Sequence, residues 1–281
     1  RKFVSSEELS QYMYGFSTLQ IQPDIEAAPA MVESCVNVLS HWSLTHLPLF
    51  MWALARTGIL PSTKNFKKFS GFLKEGLKQD AEQPFTSKQM VNILWAYEVW
   101  GVPMPEDIWP LFNQRLNEIL VRRDGTNLLP PTVAMLTRSW GTHEKLNLSE
   151  EAKTFVKEEL HKSLPQLKQG PLLFDAVEKL DKVLDPNSEV DLNLWDAAVM
   201  NTLKISKLYV TLPVNVVNIL RIFKILDAHV RPSGKKLVDE TIDLGCRYMP
   251  RMFTANEVIE FHKAAIGLWS TLNTTQREFV R

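Results

Sequence analysis

At 281 residues, 45% of them apolar, the chain is long enough to bury one large core or two ordinary ones. Lys and Arg total 32, as do Asp and Glu, so a net charge of zero excludes a whole-chain field that draws the protein to nucleic acid or anionic membrane. No apolar run approaches the roughly 20 residues of a membrane-spanning helix, and we expect no signal peptide. Two cysteines far apart predict a reduced protein without a disulfide framework.

Apolar residues recur at i, i+3, i+4 and i+7 along most of the chain, and this spacing predicts an all-α protein. The first helix is predicted to begin at a cap formed by Ser5 or Ser6, with Glu8 behind it. The apolar segment 25–39 is its predicted partner helix.

Segment 42–60 is repeated, less than perfectly, 43 residues later in segment 85–103. The matching pairs are Trp52 with Trp95, Ala53 with Ala96, and Gly58 with Gly101. An aromatic residue, a small neighbour and a later glycine in the same order indicate one helix-and-turn unit used twice. We expect the aromatic residues and alanines, with Ala264 further on, to pack between neighbouring helices.

Each unit is predicted to contain a first helix, a break marked by Gly and Pro, and a second helix. The predicted helices of the first of these units are 47–57 and 63–78. The next unit has a first helix that begins near residue 85 and ends at the break WGVPMPE, and a second helix at 106–121. In the third unit, whose Trp-Gly pair is Trp140 and Gly141, the second helix is predicted at 149–164. Helices at 171–184 and 191–207 lack that signature. It returns in part at 217–220 and at 253–254, offset from the 85–103 segment by multiples of 42 residues.

A period of about 40 residues with two helices per unit is typical of an α-solenoid. We therefore predict a HEAT/armadillo-like superhelix of about six helical hairpins. It is predicted to be a single domain, 1–281, with the better repeats at 42–84 and 85–128 and irregular repeats at 129–281.

The sequence contains no recognisable catalytic or cofactor-binding motif. There is no GxxxxGKS, GxGxxG, GxSxG or HExxH. The six histidines are scattered without ligand spacing, and the paired glutamates fall in capping turns or on wet helix faces. We expect no enzyme activity, no metal, no cofactor and no small-molecule substrate.

Basic residues gather on the predicted second helices, and such a surface is typical of proteins that follow the phosphates of a single strand. The candidate RNA-binding residues are Lys64, Lys67, Lys68, Lys74, Lys78, Arg115, Arg122, Arg123, Lys153 and Lys157. Further basic residues of this kind are Lys162, Lys235 and Lys236. The alternative is an ordinary wet helix face, because Glu75, Glu118, Glu158 and Glu159 are interleaved with the cations.

The segments LFMWALARTGI and VNILWAYEVWGV carry a family resemblance, and the match rests on residues 49–58 and 94–101 within them. They resemble the first-helix signature of the organellar helical repeats in FAST kinase-like and RAP-domain proteins and in octotricopeptide and heptatricopeptide repeat proteins. Weaker echoes stand at 135–141 and 217–226. The resemblance implies a mitochondrial matrix protein that acts in RNA metabolism without a cofactor. Nothing like a RAP domain follows in these residues, and the irregular part at 171–209 departs from the pattern.

Two functions remain open. The first is a non-enzymatic RNA-binding subunit of a mitochondrial ribonucleoprotein complex, acting in RNA processing, editing, stability or the ribosome. The second is a protein-binding scaffold in such a complex, without direct RNA contact. If Trp100, Trp109 or Trp140 share an exposed apolar patch, the second function is favoured.

Overall fold

The computed structural model describes the longer segments 6–19, 46–78, 85–123, 128–167, 179–185, 187–209 and 254–268. It also describes residues 32–33, 36, 173, 176–177, 217, 220–221, 239–243, 245–247, 274 and 277–278. Most of the predicted partner helix at 25–39, most of the echo at 217–226, and both Lys235 and Lys236 lie outside these residues.

Regular structure in the described segments is helical, and none of it is strand, which confirms the all-α prediction. The helices are α1 (Ser6–Thr18), α2 (Leu47–Arg56), α3 (Thr63–Leu77), α4 (Ser87–Trp100), α5 (Trp109–Arg122), α6 (Pro130–Thr142), α7 (Glu150–Ser163), α8 (Leu180–Val183), α9 (Glu189–Tyr209) and α10 (Ala255–Ile266). A short 3-10 turn, Leu164–Gln166, follows α7. Across these segments, no helix combines the length and apolarity needed to cross a bilayer.

Contacts between Cα atoms divide the chain into two compact units. Unit 1 comprises Arg1–Leu128 and His143–Phe155, and unit 2 comprises Leu129–Thr142 and Val156–Arg281. The prediction of a single domain stays a prediction.

The helix ends of unit 1 follow from local chemistry. Gly58 and Gly101 have φ of 74° and 63°, a left-handed conformation that glycine adopts without strain, and each lies just after a first helix. Thr86 begins α4 with a capping box, in which its side chain accepts from the Gln89 amide while the Gln89 side chain accepts from Thr86 N–H. The predicted break between α2 and α3 is therefore confirmed, with Ser62 capping α3 through the Asn65 amide.

Unit 1 is built in two helix layers. In the first layer α1 packs on α2 and α2 packs on α4, and in the second layer α3 packs on α5. Ala53 and Ala96 are fully buried, as expected of small residues where helix backbones approach closely. Phe50 of α2 meets Phe69 of α3 edge to face at 6.2 Å, and burying each ring contributes about 1.5–3 kcal/mol.

Unit 2 has a helix contact between α6 and α8. A side chain at Gly141 would overlap Lys179, the residue before α8, so the glycine permits the close approach of the two segments. Helix α9 and the 3-10 turn also pack together, and the Asn201 side chain of α9 donates to Leu164 O. Of the predicted helix at 171–184, the structure describes residues 173, 176–177 and 179–184, which include α8.

Candidate nucleic-acid interface

The second-helix layer of unit 1 carries most of the basic residues predicted to bind RNA. Lys64, Lys67 and Lys68 lie on the first turns of α3, and Lys74 and Lys78 lie at its C-terminal end. Arg115 and Arg122 lie on α5, and Arg123 follows as its C-terminal cap. Lys153 and Lys157 lie on α7. The predicted helix positions are therefore confirmed, while their role in RNA binding stays a prediction.

At least six of the ten candidate cations form ion pairs in the described part of the chain, and three of these pairs join residues on one helix or at its end. These three are Lys78 with Glu75 at 2.7 Å, Arg115 with Glu118 at 3.3 Å, and Lys153 with Glu150 at 2.7 Å. The side chain of Arg115 is only 13% exposed, so it has little surface to offer a ligand. Exposed pairs of this type contribute about 0–1 kcal/mol, but they neutralise the face that carries them.

Two further pairs tie α3 to residues distant in sequence. Lys64 meets Glu33 at 3.0 Å, and the hydrogen bond from its ammonium group lowers the pKa of that carboxyl. Lys74 pairs with Asp107 in the break before α5 and lowers the pKa of Asp107 in the same way. The second helix of one repeat is thus connected to the turn that opens the next helix of its own layer.

The sixth pair is buried in unit 2. Lys157 donates to Asp191 at 2.6 Å, and the Asp191 side chain is 3% exposed. The same carboxylate oxygen accepts from the backbone N–H of Asp185 at 2.8 Å. A buried carboxylate is costly without such donors, so the main role of Lys157 is to stabilise the Asp191 carboxylate within unit 2.

Four candidates remain outside these ion pairs. The guanidinium of Arg123 lies 4.9 Å over the Phe155 ring, and Lys68 lowers the pKa of Glu33 by its charge. Lys67 and Arg122 are exposed, and no carboxylate in the described part of the chain pairs with them. The positive charge that the second-helix layer offers to a ligand is accordingly small.

Two asparagines of α5 hold the segment that precedes α7. Asn113 donates to Lys145 O at 2.9 Å and accepts from Asn147 N at 3.1 Å. Asn117 repeats the pattern one turn on, donating to Asn147 O at 2.9 Å and accepting from Ser149 N at 2.7 Å. We call this arrangement the asparagine clamp. It satisfies the backbone of a segment whose Leu146 and Leu148 are buried, as a neighbouring β-strand would.

A row of aromatic rings crosses the first-helix layer of unit 1, and we call Tyr14, Trp52 and Trp95 the aromatic row. Ring centroids lie 5.8 Å apart between Tyr14 and Trp52 and 6.1 Å apart between Trp52 and Trp95. The three rings come from α1, α2 and α4, one from each successive first helix. Tyr14 is 48% exposed and both tryptophans are half-buried. The sequence assigned both tryptophans to packing between neighbouring helices and gave them no ligand role.

One cation contacts the aromatic row, and a second lies on the same helix face as Trp95. The guanidinium of Arg56 lies 5.3 Å from the centroid of Trp52, and its Nε donates to Ser17 O at 3.1 Å. Lys88 is exposed and lies seven residues before Trp95 on α4, a spacing that places both on one helix face. The sequence did contain a signal for this surface, because Trp52 and Trp95 are the matching aromatic positions of the repeat.

The three tryptophans chosen to test for a protein-binding patch do not all reach the surface. Trp109 is buried, and its ring contacts His143 at 5.6 Å. Trp100 is half-buried, packs edge to face on Phe66 at 5.3 Å, and donates from Nε1 to Ile59 O at 2.9 Å. Trp140 is half-buried in unit 2. Within unit 1, Trp100 and Trp109 act in packing.

The titratable groups of the core are shifted by burial. Burial lowers the pKa of His143, which Glu98 partly offsets, and burial raises the pKa of the Cys246 thiol to about 11. A thiol with that pKa is a poor nucleophile near neutral pH. In the described part of the chain, no three His, Cys, Asp or Glu side chains group in a way that could hold a metal ion.

No protein-family model matches this chain, and no curated protein matches it at a significant level. The relationship to organellar helical-repeat proteins stays a prediction from the quoted motifs.

Proposed function

We propose that this chain is a non-enzymatic α-solenoid that binds single-stranded RNA as a subunit of a mitochondrial ribonucleoprotein complex. The processes proposed for it are RNA processing, editing, stability or ribosome function. The observation that carries the proposal is the layered packing of unit 1, in which α1, α2 and α4 form one layer and α3 packs on α5 in the other.

This packing supports a solenoid because a helix pair of this kind buries one face against the preceding pair and the other against the next. The equivalent residues of the repeat also occupy equivalent places. Ala53 and Ala96 are both buried, Gly58 and Gly101 both end a first helix, and Trp52 meets Trp95 across the layer. We propose that the pattern continues to about six helical hairpins along the chain.

RNA is proposed as the ligand for two reasons. The residues quoted at 49–58 and 94–101 resemble the repeats of organellar RNA-metabolism proteins, and the mitochondrial location rests on that resemblance alone. In addition, exposed aromatic and cationic side chains lie together on the first-helix layer, and single strands are bound by such combinations. The absence of enzyme activity is proposed from the sequence, whose motifs include none for catalysis.

The test is binding of fluorescently labelled uridine and adenosine oligonucleotides, about 20 nucleotides long, to the full chain, followed by fluorescence anisotropy in about 50 mM salt. We expect saturable binding of both single strands and weaker binding of a duplex of the same length, because paired bases hide their faces. Absence of single-strand binding at low salt would overturn the proposal.

A second candidate function is the protein-binding scaffold, favoured by the six ion pairs that neutralise the predicted basic residues. A neutral helical surface is suited to a protein partner. Ribonuclease treatment of the native complex separates the two. Release of the chain supports RNA binding, whereas a complex of unchanged size supports the scaffold.

A further inference from the structure

The aromatic row follows the helical repeat, with one ring from each first helix of unit 1. Neighbouring ring centroids are separated by 5.8 and 6.1 Å. The rings therefore touch one another and leave no space for an inserted base between them. Their outer surface remains open to differing degrees, with Tyr14 48% exposed and the tryptophans half-buried. Such a surface presents successive aromatic groups to a ligand that runs across the helices.

Two of the three helices that form the aromatic row carry an exposed cation, whereas α1 carries the exposed Glu8, six residues before Tyr14. On α2 and α4 the exposed charged side chains are Arg56 and Lys88. Glu98, the acidic residue of α4, has one carboxylate oxygen buried. Arg56 uses Nε for the bond to Ser17 O, which leaves its terminal nitrogens to donate to a phosphate. No carboxylate in the described residues pairs with Lys88, unlike the six paired candidates on α3, α5 and α7.

We infer that the aromatic row is a stacking surface for the bases of a single-stranded RNA, with Arg56 and Lys88 contacting its phosphates. This inference rests on the proposed function and moves the binding surface from the second helices to the first. Every base has a π-face, so stacking on Tyr14 and the tryptophans tolerates any sequence. The guanidinium of Arg56, which lies over the Trp52 ring, adds a cation–π contact and a phosphate donor at one point.

The test uses the full chain and the same labelled uridine and adenosine oligonucleotides. Tyr14→Ala removes an exposed ring, and we expect the dissociation constant to rise about fivefold or more. The matched control is Tyr12→Ala, because Tyr12 lies on the same helix, is 40% exposed and stacks on Phe16 away from the row. The control is expected to bind as the unmodified chain does.

Lys88→Gln tests the phosphate contact. We expect the slope of log K against log salt to become shallower by about 0.7, the value for one phosphate on a single strand. Lys67→Gln, at an exposed lysine of α3, tests the competing second-helix surface, and a shallower slope for this variant instead of Lys88→Gln would contradict the inference. Circular dichroism of all four variants checks that they are folded.

The outcomes separate the inference from the proposed function. If the unmodified chain binds RNA and the Tyr14 and Lys88 variants bind equally well, the inference is overturned and RNA binding stands. The same holds if Lys67→Gln alone weakens binding, since that result returns the contact to the second helices. If the unmodified chain binds no single strand, both fail, and a protein partner becomes the better explanation of the aromatic row.

Discussion

Two glycines of helix α3 have different surroundings. A Cβ atom added at Gly71 would meet nothing within 4 Å, whereas one added at Gly76 would lie under 3.0 Å from three atoms of the Phe85 ring. Phe85 is 1% exposed, so the ring is packed on its other sides and has little room to move. Glycine is unfavourable inside a helix at both positions, but at Gly76 it allows the chain before α4 to approach α3.

We predict that Gly71→Ala raises the free energy of unfolding by about 0.5–1 kcal/mol, because alanine favours the helix and enters open space. We predict that Gly76→Ala lowers it by about 1–3 kcal/mol through overlap with Phe85. Urea unfolding followed by circular dichroism measures both. Equal effects of the two substitutions on the free energy of unfolding would show that the Phe85 ring moves aside without loss of stability, which would contradict the prediction.

Residue properties that depend on local spacing could be predicted from the sequence, whereas those that depend on distant partners could not. Gly58 and Gly101 could be assigned to helix ends because each is followed within three residues by a proline. The pairing of Lys64 with Glu33 and of Lys74 with Asp107 joins residues more than 30 positions apart. No periodicity within one helix reveals such a pair. For that reason the basic face looked more available in the sequence than it is in the structure.

At the scale of the element, the asparagine clamp of α5 supplies hydrogen-bond partners to backbone groups of segment 145–149. Residues 146–149 have no regular secondary structure. The Lys145 and Asn147 carbonyls and the Asn147 and Ser149 amides are paired with side-chain amides. Asn117 also donates to Asn113 O at 2.8 Å, which keeps the two clamp residues in line along the helix. The clamp fixes the entry of the chain into α7, where Ser149 Oγ accepts from the Ala152 amide as a cap.

We predict that Asn117→Ala lowers the free energy of unfolding by about 1–3 kcal/mol, because it leaves the backbone groups of Asn147 and Ser149 without partners. The matched control is Gln114→Ala on the same helix. Gln114 is exposed and bonds only the neighbouring Glu118 side chain, so its loss should cost less than about 0.5 kcal/mol. Thermal unfolding of the two variants gives the comparison, and equal melting temperatures would contradict the prediction.

Several helix bounds between residues 47 and 164 were predictable because caps and breaks depend on residues close together in the sequence. The predicted helix 63–78 is observed as Thr63–Leu77, and 149–164 is observed as Glu150–Ser163. The predicted helix 106–121 begins three residues later, at Trp109, because Pro105 to Ile108 form a turn closed by Ile108 N–H to Pro105 O at 3.0 Å. The clamp could not be predicted, since asparagines at i and i+4 are equally common on solvated helix faces.

At the scale of the whole molecule, balanced charge limits how RNA can be held. With 32 basic and 32 acidic residues, affinity cannot come from a general positive field. It must come from a few phosphate contacts together with stacking, and only the latter is insensitive to salt. The number of contacts is therefore measurable from the salt dependence.

We predict a slope of log K against log salt of about −1.4 for single-stranded RNA, from two phosphate contacts at about 0.7 each. Raising salt from about 50 to 200 mM then weakens binding about sevenfold. Contacts from all ten predicted second-helix cations would give a slope of about −7 and a loss of about ten-thousandfold. A steep slope in the anisotropy titration would contradict the first-helix surface and favour the second.

The asparagine clamp also constrains how this protein can change in evolution. Surface connections ordinarily gain and lose residues freely. Segment 145–149 cannot, because its hydrogen bonds and its buried leucines both recur every second residue. One inserted residue would carry Leu146 and Leu148 to the solvent side, whereas two would restore the alternation. We therefore expect insertions and deletions within segment 145–149 to involve an even number of residues. Those of odd length should occur between α6 and Lys145. An alignment of related sequences would show this pattern.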